Sequence, residues 1–130
     1  MIVVDAMNVI GCRPDGWWAD RDGALIRLVE DLGDAGVPAL VVADGRPIPS
    51  LPAGSHGVVE LAYASRRGPN AADERIADEV AGMDDPSSAT VVTSDRELAR
   101  QVRRHGAIVV GARAFRDRLD RRLGWSLPSP

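Results

Sequence analysis

The segment TVVTSDRELARQVRRHGAIVV, residues 90–110, decides the fold. It opens with the β-branched run 90–92 and closes with a second apolar run at 107–110. Between them, Leu98 and Val102 recur at helical spacing on one face. A strand, a helix and a second strand in this order predict a parallel β-α-β unit, because two parallel neighbours need a long crossover connection.

The start of that helix carries a capping signal. Ser94 is followed three residues later by Glu97, which is the spacing of a capping box. We therefore expect Ser94 to cap the helix and Asp95 to lie in its first turn. A negative charge at that position is favourable to the helix dipole even if it has no other role.

The same alternation extends over the rest of the chain. The predicted strands are 2–4, 39–43, 58–61, 90–92 and 107–110. The predicted helices cover 25–32, 70–82 behind Asn70 as a cap, a segment from Ser94, and about 112–123. Short, nearly unbroken apolar strands between helices are typical of an α/β domain with a mostly parallel five-stranded sheet and helices on both faces. The third strand alternates at Glu60 and is expected at a sheet edge, and the Pro- and Gly-rich 45–56 is expected to be a loop.

Length and composition predict one domain in a reducing compartment. The 130 residues are enough for one core, which we place at 1–124 with a loose tail at 125–130. No apolar run reaches the roughly 18 residues of a membrane helix, and the first residues lack the pattern of a signal peptide. A single cysteine, Cys12, can form no internal disulfide. A cytoplasmic protein without a membrane segment is therefore expected.

The charge of the chain is unevenly distributed. Its net charge is -3, but residues 1–95 carry 7 Arg against 16 acids and residues 96–130 carry 9 Arg against 3 acids. An acidic part beside a basic part suits a site that holds cations and grips a polyanion, although two solvated faces would give the same numbers. All 16 basic residues are Arg, which excludes lysine-dependent phosphate loops and Schiff-base chemistry.

Acidic side chains follow the predicted strands directly. Asp5, Asp44 and Asp95 come after three strands, and Asp73 and Glu74 open a helix. The carboxyl ends of parallel strands meet at one edge of the sheet, where ligands bind. Oxygen ligands without His or Cys favour Mg²⁺ or Mn²⁺ over zinc. Each acid alone is more often a cap or a turn former, so the prediction rests on their conjunction.

Three segments carry a resemblance to a known family. IVVDAMNVIGC (2–12), AYASRRGPNAADERIADEV (62–80) and the opening segment 90–110 resemble the NYN domain of the PIN-like ribonucleases, in its YacP-like branch. The resemblance implies strand order 3-2-1-4-5, an Mg²⁺ or Mn²⁺ cofactor and endonucleolytic cleavage of RNA. Where other members have a glycine and then an aromatic residue after the first Asp, this chain has Ala6 and Met7, which leaves the metal ligands intact and changes the pocket wall.

The resemblance also implies roles for individual residues. It makes Asp5, Asp73 and Asp95 catalytic acids and metal ligands, and Asn8 completes the first motif as a further catalytic residue. Asp44, Glu74 and Ser94 form a second tier of site residues.

Two groups of arginines are candidates for binding RNA. Arg96, Arg100 and Arg103 recur at i, i+4 and i+7 on the helix that begins beside Asp95. Arg66 and Arg67 precede the Asp73 helix in a loop with Gly and Pro. Both groups suit contacts with backbone phosphates, and a solvated helix face remains the alternative for the first.

Two other functions stay open at this point. A toxin-type PIN nuclease controlled by an antitoxin usually carries a further acid on an early helix, for which Glu30 is the only candidate. A catalytically weak RNA-binding module would keep the fold and use the arginines. The expected partner is RNA, with a ribonucleoprotein or a regulatory protein as a further partner, and the oligomeric state is open.

Overall fold

Buried β-branched runs form the centre of the protein, and a computed structural model describes residues 1–13, 15–64 and 70–121. The strands are β1 (Ile2–Asp5), β2 (Ala39–Ala43), β3 (Gly54–His56), β4 (Val59–Tyr63), β5 (Thr90–Val92) and β6 (Ile108–Val110). The α-helices are α1 (Ala6–Ile10), α2 (Arg21–Asp34), α3 (Ala71–Ala81), α4 (Arg96–Arg104) and α5 (Ala112–Asp120). Short 3-10 turns occur at Trp17–Ala19 and Pro86–Ser88.

The strands form one mixed sheet in the order β3-β4-β2-β1-β5-β6. The five parallel strands have the predicted order 3-2-1-4-5, and the α/β class is confirmed. A sixth strand, β3, lies antiparallel to β4 within the segment expected to be a loop. Gly57, with a φ of 63°, permits the tight reversal between them, and Ser55 donates a hydrogen bond to Glu60 across the pair. The strand with Glu60 is therefore next to the edge, not at it.

Helices cover both faces of the sheet, as predicted. Helices α1, α2 and α5 pack against one face, and the side chains that they bury there include Leu28, Leu32 and Phe115. Helices α3 and α4 pack against the other face, and the side chains that they bury there include Ile76 and Leu98. Neighbouring strand residues point alternately into these two cores, which is why the strands are apolar at almost every position.

The path of the chain creates a switch point between β1 and β5. From β1 the chain moves outward to β2 and β4, and it then returns across the sheet to β5 and β6. The connections on the two sides therefore run over opposite faces, which leaves a crevice at the carboxyl ends of β1 and β5.

Two helix starts differ from the sequence prediction. The cap of α4 is Asp95, whose side chain accepts a hydrogen bond from the Leu98 amide, so Ser94 is not the cap. Asn70 occupies the cap position of α3, but its side chain makes no capping bond. The five-residue helix α1 was not predicted, because five residues are too few to show a helical period.

The last described helix, α5, ends at Asp120, with Arg121 as its C-cap. The expected helix end at 123 and the expected tail at 125–130 lie outside the described residues. No helix in the described ranges combines the length and apolar character that crossing a bilayer requires.

Tyr63 anchors the loop after β2. Its buried hydroxyl accepts a hydrogen bond from the Ile48 amide and donates one to the Leu51 carbonyl. Ile48 and Leu51 also form a small antiparallel bridge, and both side chains are buried. The loop is therefore a fixed part of the fold.

Tyr63→Phe should lower the free energy of unfolding by about 1–3 kcal/mol, because it leaves a buried amide and a carbonyl without a partner. Urea unfolding measures this change. Ser55→Ala, which removes an exposed side-chain hydrogen bond, is the control and should change stability by less than about 0.5 kcal/mol. Equal stability of Tyr63→Phe and wild type would show that the hydroxyl does not hold the loop.

Candidate active site

Asp5 is a buried carboxylate at the end of the central strand. It is only 4% exposed, and its Oδ2 accepts a 2.9 Å hydrogen bond from the Thr93 hydroxyl, just beyond β5. It occupies the cap position of α1, yet its side chain does not cap that helix. The carboxylate therefore lies at the crevice between β1 and β5, close to the first turn of α1.

Thr93 is the site residue that the sequence prediction missed. Its hydroxyl oxygen also accepts a 3.1 Å hydrogen bond from the Asp95 amide, so one side chain links two of the acids. Its signals were its place directly after a buried strand and its membership in the Thr-Ser-Asp run at 93–95, within a segment that resembles the NYN domain. A threonine there is equally typical of the strand itself.

Asn8, in α1, joins that helix to the loop that follows β5. Its side-chain oxygen accepts a 2.7 Å hydrogen bond from the Ser94 amide. The Ser94 hydroxyl in turn accepts one from the Ala112 amide, at the start of α5. Asn8 and Ser94 thus lie at the crevice as predicted, and their contacts fix backbone.

Asp44 connects β2 to the helix that carries Asp73. Its Oδ1 accepts a 3.0 Å hydrogen bond from the Ala72 amide in the first turn of α3. This contact satisfies one of the amides that every helix start leaves unpaired. It also places the next residue, Asp73, on the side of the crevice where Asp5 and Asp95 lie, as the electrostatics show.

The four aspartates are electrostatically coupled. Burial raises the pKa of Asp5 to about 6, and the charges of Asp44 and Asp95 add to this rise, while the Thr93 hydrogen bond opposes it. Burial also raises the pKa of Asp73 to about 6, followed by repulsion from Asp5, Asp95 and Asp44 and by a hydrogen bond with Asp95. The cluster is therefore unfavourable when all its members are charged and no cation is near.

The donor set fits a hard divalent cation. All donors are carboxylate oxygens, and a cation would relieve the repulsion that, after burial, contributes to the two raised pKa values. Within the described ranges, however, no three Asp, Glu, His or Cys side chains form a group that could hold an ion as they stand. The aspartates interact electrostatically but do not form a complete set of ligands. Both observations fit an ion whose coordination shell consists partly of water, as is usual for Mg²⁺.

The comparisons with known proteins agree with this geometry. The sequence pattern of the YacP-like NYN domain matches residues 2–123. The chain belongs to the YacP-like NYN domain family. Its fold is thus that of the NYN ribonucleases, and the resemblance seen in the sequence is confirmed. No curated protein sequence matches this chain.

Two solved structures have the same fold as this NYN domain. The crystal structure of Rae1 (YacP) from Bacillus subtilis is 23% identical, with a TM-score of 0.71 over 94% of this chain and 74% of that chain. Its W164L mutant is 22% identical, with a TM-score of 0.66 over 93% of this chain and 75% of that chain. At this level of identity, the likeness concerns the fold.

The predicted arginines are only partly described. Arg96, Arg100 and Arg103 are exposed on α4, whose start lies at the acidic site. Arg100 forms an ion pair with Glu97 on the same helix. Arg66 and Arg67 lie outside the described residues. Glu74 is exposed in the first turn of α3, beside Asp73.

Glu30 does not lie with the acids of this NYN domain. It is exposed on α2, nine residues after Arg21. Since α2 runs antiparallel to β1, its start faces the carboxyl edge of the sheet, and Glu30 lies about 13 Å farther along the helix axis. It therefore supplies no further acid to the cluster.

In metal-free buffer at pH 7, Asp73→Asn should melt about 2–4 °C higher than wild type. The substitution removes repulsion worth about 0.5–1 kcal/mol after solvent screening is allowed for. Carboxyls with a raised pKa stabilise the fold while protonated and lose that stabilisation as pH rises. The advantage of the variant should therefore be small near pH 4 and grow through pH 6.

Thermal melts of both proteins from pH 4 to pH 7.5 in chelator measure this difference. Asp78→Asn, an exposed aspartate on the same helix, is the matched control and should show no such trend. A lower melting temperature for Asp73→Asn at every pH would mean that Asp73 is a structural residue.

Proposed function

We propose that this NYN domain is a divalent-metal-dependent endoribonuclease that hydrolyses phosphodiester bonds in RNA. One observation carries the proposal. Four aspartates from separate elements lie at the switch point of the sheet, where burial, together with their mutual repulsion, raises the pKa of Asp5 and Asp73. A fold that only needed helix caps would gain nothing from crowding these charges.

Asp5, Asp73 and Asp95 are the proposed ligands of Mg²⁺ or Mn²⁺. When bound, such an ion polarises a phosphodiester oxygen and lowers the pKa of coordinated water. Asp95 can serve both as ligand and as cap, because the cap of α4 uses only its Oδ1. Asp44 and Glu74 are proposed as secondary acids of the site.

The remaining site residues hold these ligands in place. Thr93 fixes one oxygen of Asp5 at the crevice. Asn8 and Ser94 tie the loop after β5 to α1 and α5. Asp44 holds the first turn of α3 and so positions Asp73. These contacts preorganise the site, whose acids must be placed within a fraction of an ångström of their working positions.

The RNA strand is proposed to lie along the start of α4. The exposed arginines of that helix begin directly beside Asp95, so a strand bound there would bring a phosphodiester to the acids. Arg66 and Arg67, which precede α3 in the chain, are proposed to contact the same strand. No described residue favours a toxin-type nuclease, because Glu30 lies away from the acids.

Purified protein should cut single-stranded RNA with Mn²⁺ or Mg²⁺ and should stop when chelator is added. Asp5→Asn, Asp73→Asn and Asp95→Asn should each reduce the rate by orders of magnitude, because each removes a proposed ligand. Asp78→Asn should cut at the wild-type rate. Gel analysis of an end-labelled RNA measures cleavage, and a DNA of the same sequence tests the preference for RNA.

Three results would contradict the proposal in different ways. Undiminished cleavage in chelator would exclude the metal mechanism. Normal cleavage by Asp73→Asn would move the site elsewhere. Tight RNA binding without cleavage in either metal would favour the RNA-binding module.

Replacing Arg100 and Arg103 with Gln should weaken RNA binding about equally for all sequences, since phosphate contacts position a strand without identifying its bases. The slope of log affinity against log salt should fall by roughly 0.7 for each lost contact. Affinity at several salt concentrations, in chelator, measures this. The matched control is Arg27→Gln with Arg121→Gln, which removes the same charge from helices on the opposite face. An unchanged slope would make the α4 face a solvated surface.

A further inference from the structure

A cleft of about 420 Å³ opens beside the acidic site, between the start of α2 and the loop after β2. We call it the Arg21 cleft. Met7 and Asp44 line it on the side of the acids, and Arg21 and Arg46 line it farther out. Because Asp44 belongs to both, a strand bound at the acids can extend directly into the cleft. The volume is in the range of pockets that take a small organic ligand.

The exposed guanidinium of Arg21 contacts a sulfur atom and forms no ion pair in the part of the chain that the structure describes. Its Nε lies 3.1 Å from the Met7 sulfur, a weak acceptor, and its guanidinium lies where a side chain at position 45 would touch it. Arg21 is also the first residue of α2, where the helix dipole disfavours a positive charge. An anionic ligand would supply the missing partner for the Arg21 charge and would also interact favourably with the start of α2.

The opposite wall is preorganised and apolar. It consists of the loop that Tyr63 anchors, and Pro47, Ile48 and Pro49 line the cleft from that side. Gly45, with a φ of 93°, lets the chain turn into this loop where a side chain would meet the Arg21 guanidinium. The wall therefore exists before any ligand binds, which lowers the entropic cost of binding.

The charges of the cleft select a class of ligand. Arg21 and Arg46 are balanced in number by Asp22 and Asp44, so the cleft has no excess positive charge to attract a bare anion. A ligand that suits it has one phosphate for a guanidinium and an apolar, planar part for the wall. A nucleotide has both, since guanidinium groups bind phosphate and also stack on bases.

We propose that the Arg21 cleft binds one nucleotide of the RNA substrate, adjacent to the phosphodiester at the acidic site. In this arrangement Arg21 contacts its backbone phosphate, Arg46 supports that contact, and the base lies against the loop wall. The inference rests on the proposed function, because it takes the ligand to be the RNA that the acids cut.

The first experiment measures RNA affinity in chelator by fluorescence anisotropy with a single-stranded ten-nucleotide RNA. Arg21→Gln should bind roughly 3- to 10-fold more weakly than wild type, with a salt slope lower by roughly 0.7. Arg46→Gln should weaken binding in the same direction. Arg27→Gln is the matched control, since it lies on the same helix outside the cleft, and it should change affinity less than about 2-fold. Melting temperatures of all variants check that the fold is retained.

A second experiment identifies the ligand class by nuclear magnetic resonance. Adenosine 5′-monophosphate should shift the amide signals of Gly45 and Arg46, and inorganic phosphate at the same concentration should not. Equal shifts with phosphate would overturn the assignment to a nucleotide. Shifts with the mononucleotide together with unchanged RNA affinity of Arg21→Gln would indicate a site for free nucleotides, which also overturns the proposal.

The failure of this inference differs from the failure of the proposed function. Cleavage by wild type in Mn²⁺, with equal RNA affinities of Arg21→Gln and Arg27→Gln, would overturn the cleft and leave the nuclease. Absence of cleavage, with an affinity loss specific to Arg21→Gln, would overturn the nuclease and leave an RNA-binding cleft. A wild type without measurable RNA affinity would overturn both.

Discussion

The hydrogen bond between Thr93 and Asp5 is the constraint on which the site depends. A carboxylate that is buried at the end of a central strand is costly unless a donor satisfies it. The hydroxyl of Thr93 is that donor, and the same oxygen accepts from the Asp95 amide. These hydrogen bonds connect the carboxyl ends of β1 and β5 at the switch point of the sheet. Asp95 is positioned by the same Thr93 hydroxyl.

The structural and functional interpretations of the acids do not compete with each other. Asp44 and Asp95 each use one carboxylate oxygen to accept a hydrogen bond from an amide in the first turn of a helix, α3 and α4 respectively. Those contacts stabilise helix starts, as they would in any protein. They also aim both helices at the crevice, so that Asp73 and Asp95 come close enough to share a hydrogen bond. The fold therefore uses the local stability of helix caps to hold like charges together.

The sequence predicted the parallel strands well, because each is a run of buried β-branched residues between helices. The order of the strands came from the family resemblance, since periodicity alone does not say which strands are neighbours. Strand β3 escaped prediction because Gly-Ser-His has no strand character, and its pairing depends on the turn at Gly57.

Residue roles were harder to predict than residue positions. Ser94 and Glu97 have the spacing of a capping box, yet the structure caps α4 with Asp95. The Ser94 hydroxyl is used 18 residues later in the chain, at α5, and Glu97 pairs with Arg100. Such choices depend on which amides lie near in three dimensions. For the same reason Thr93 could be recognised as a strand residue but not as the donor that holds Asp5.

The departure at Ala6 and Met7 shows how the acids and the Arg21 cleft are connected. Ala6 is fully buried, so a larger residue there would have to displace the core. Met7 lines the cleft instead, and its sulfur contacts Arg21. A substitution at position 7, two residues after Asp5, thus changes the wall of the cleft and leaves the contacts of the acids unchanged. A flexible thioether also adapts its shape more easily than an aromatic ring. The site can therefore vary what it admits beside the acids without altering the acids themselves.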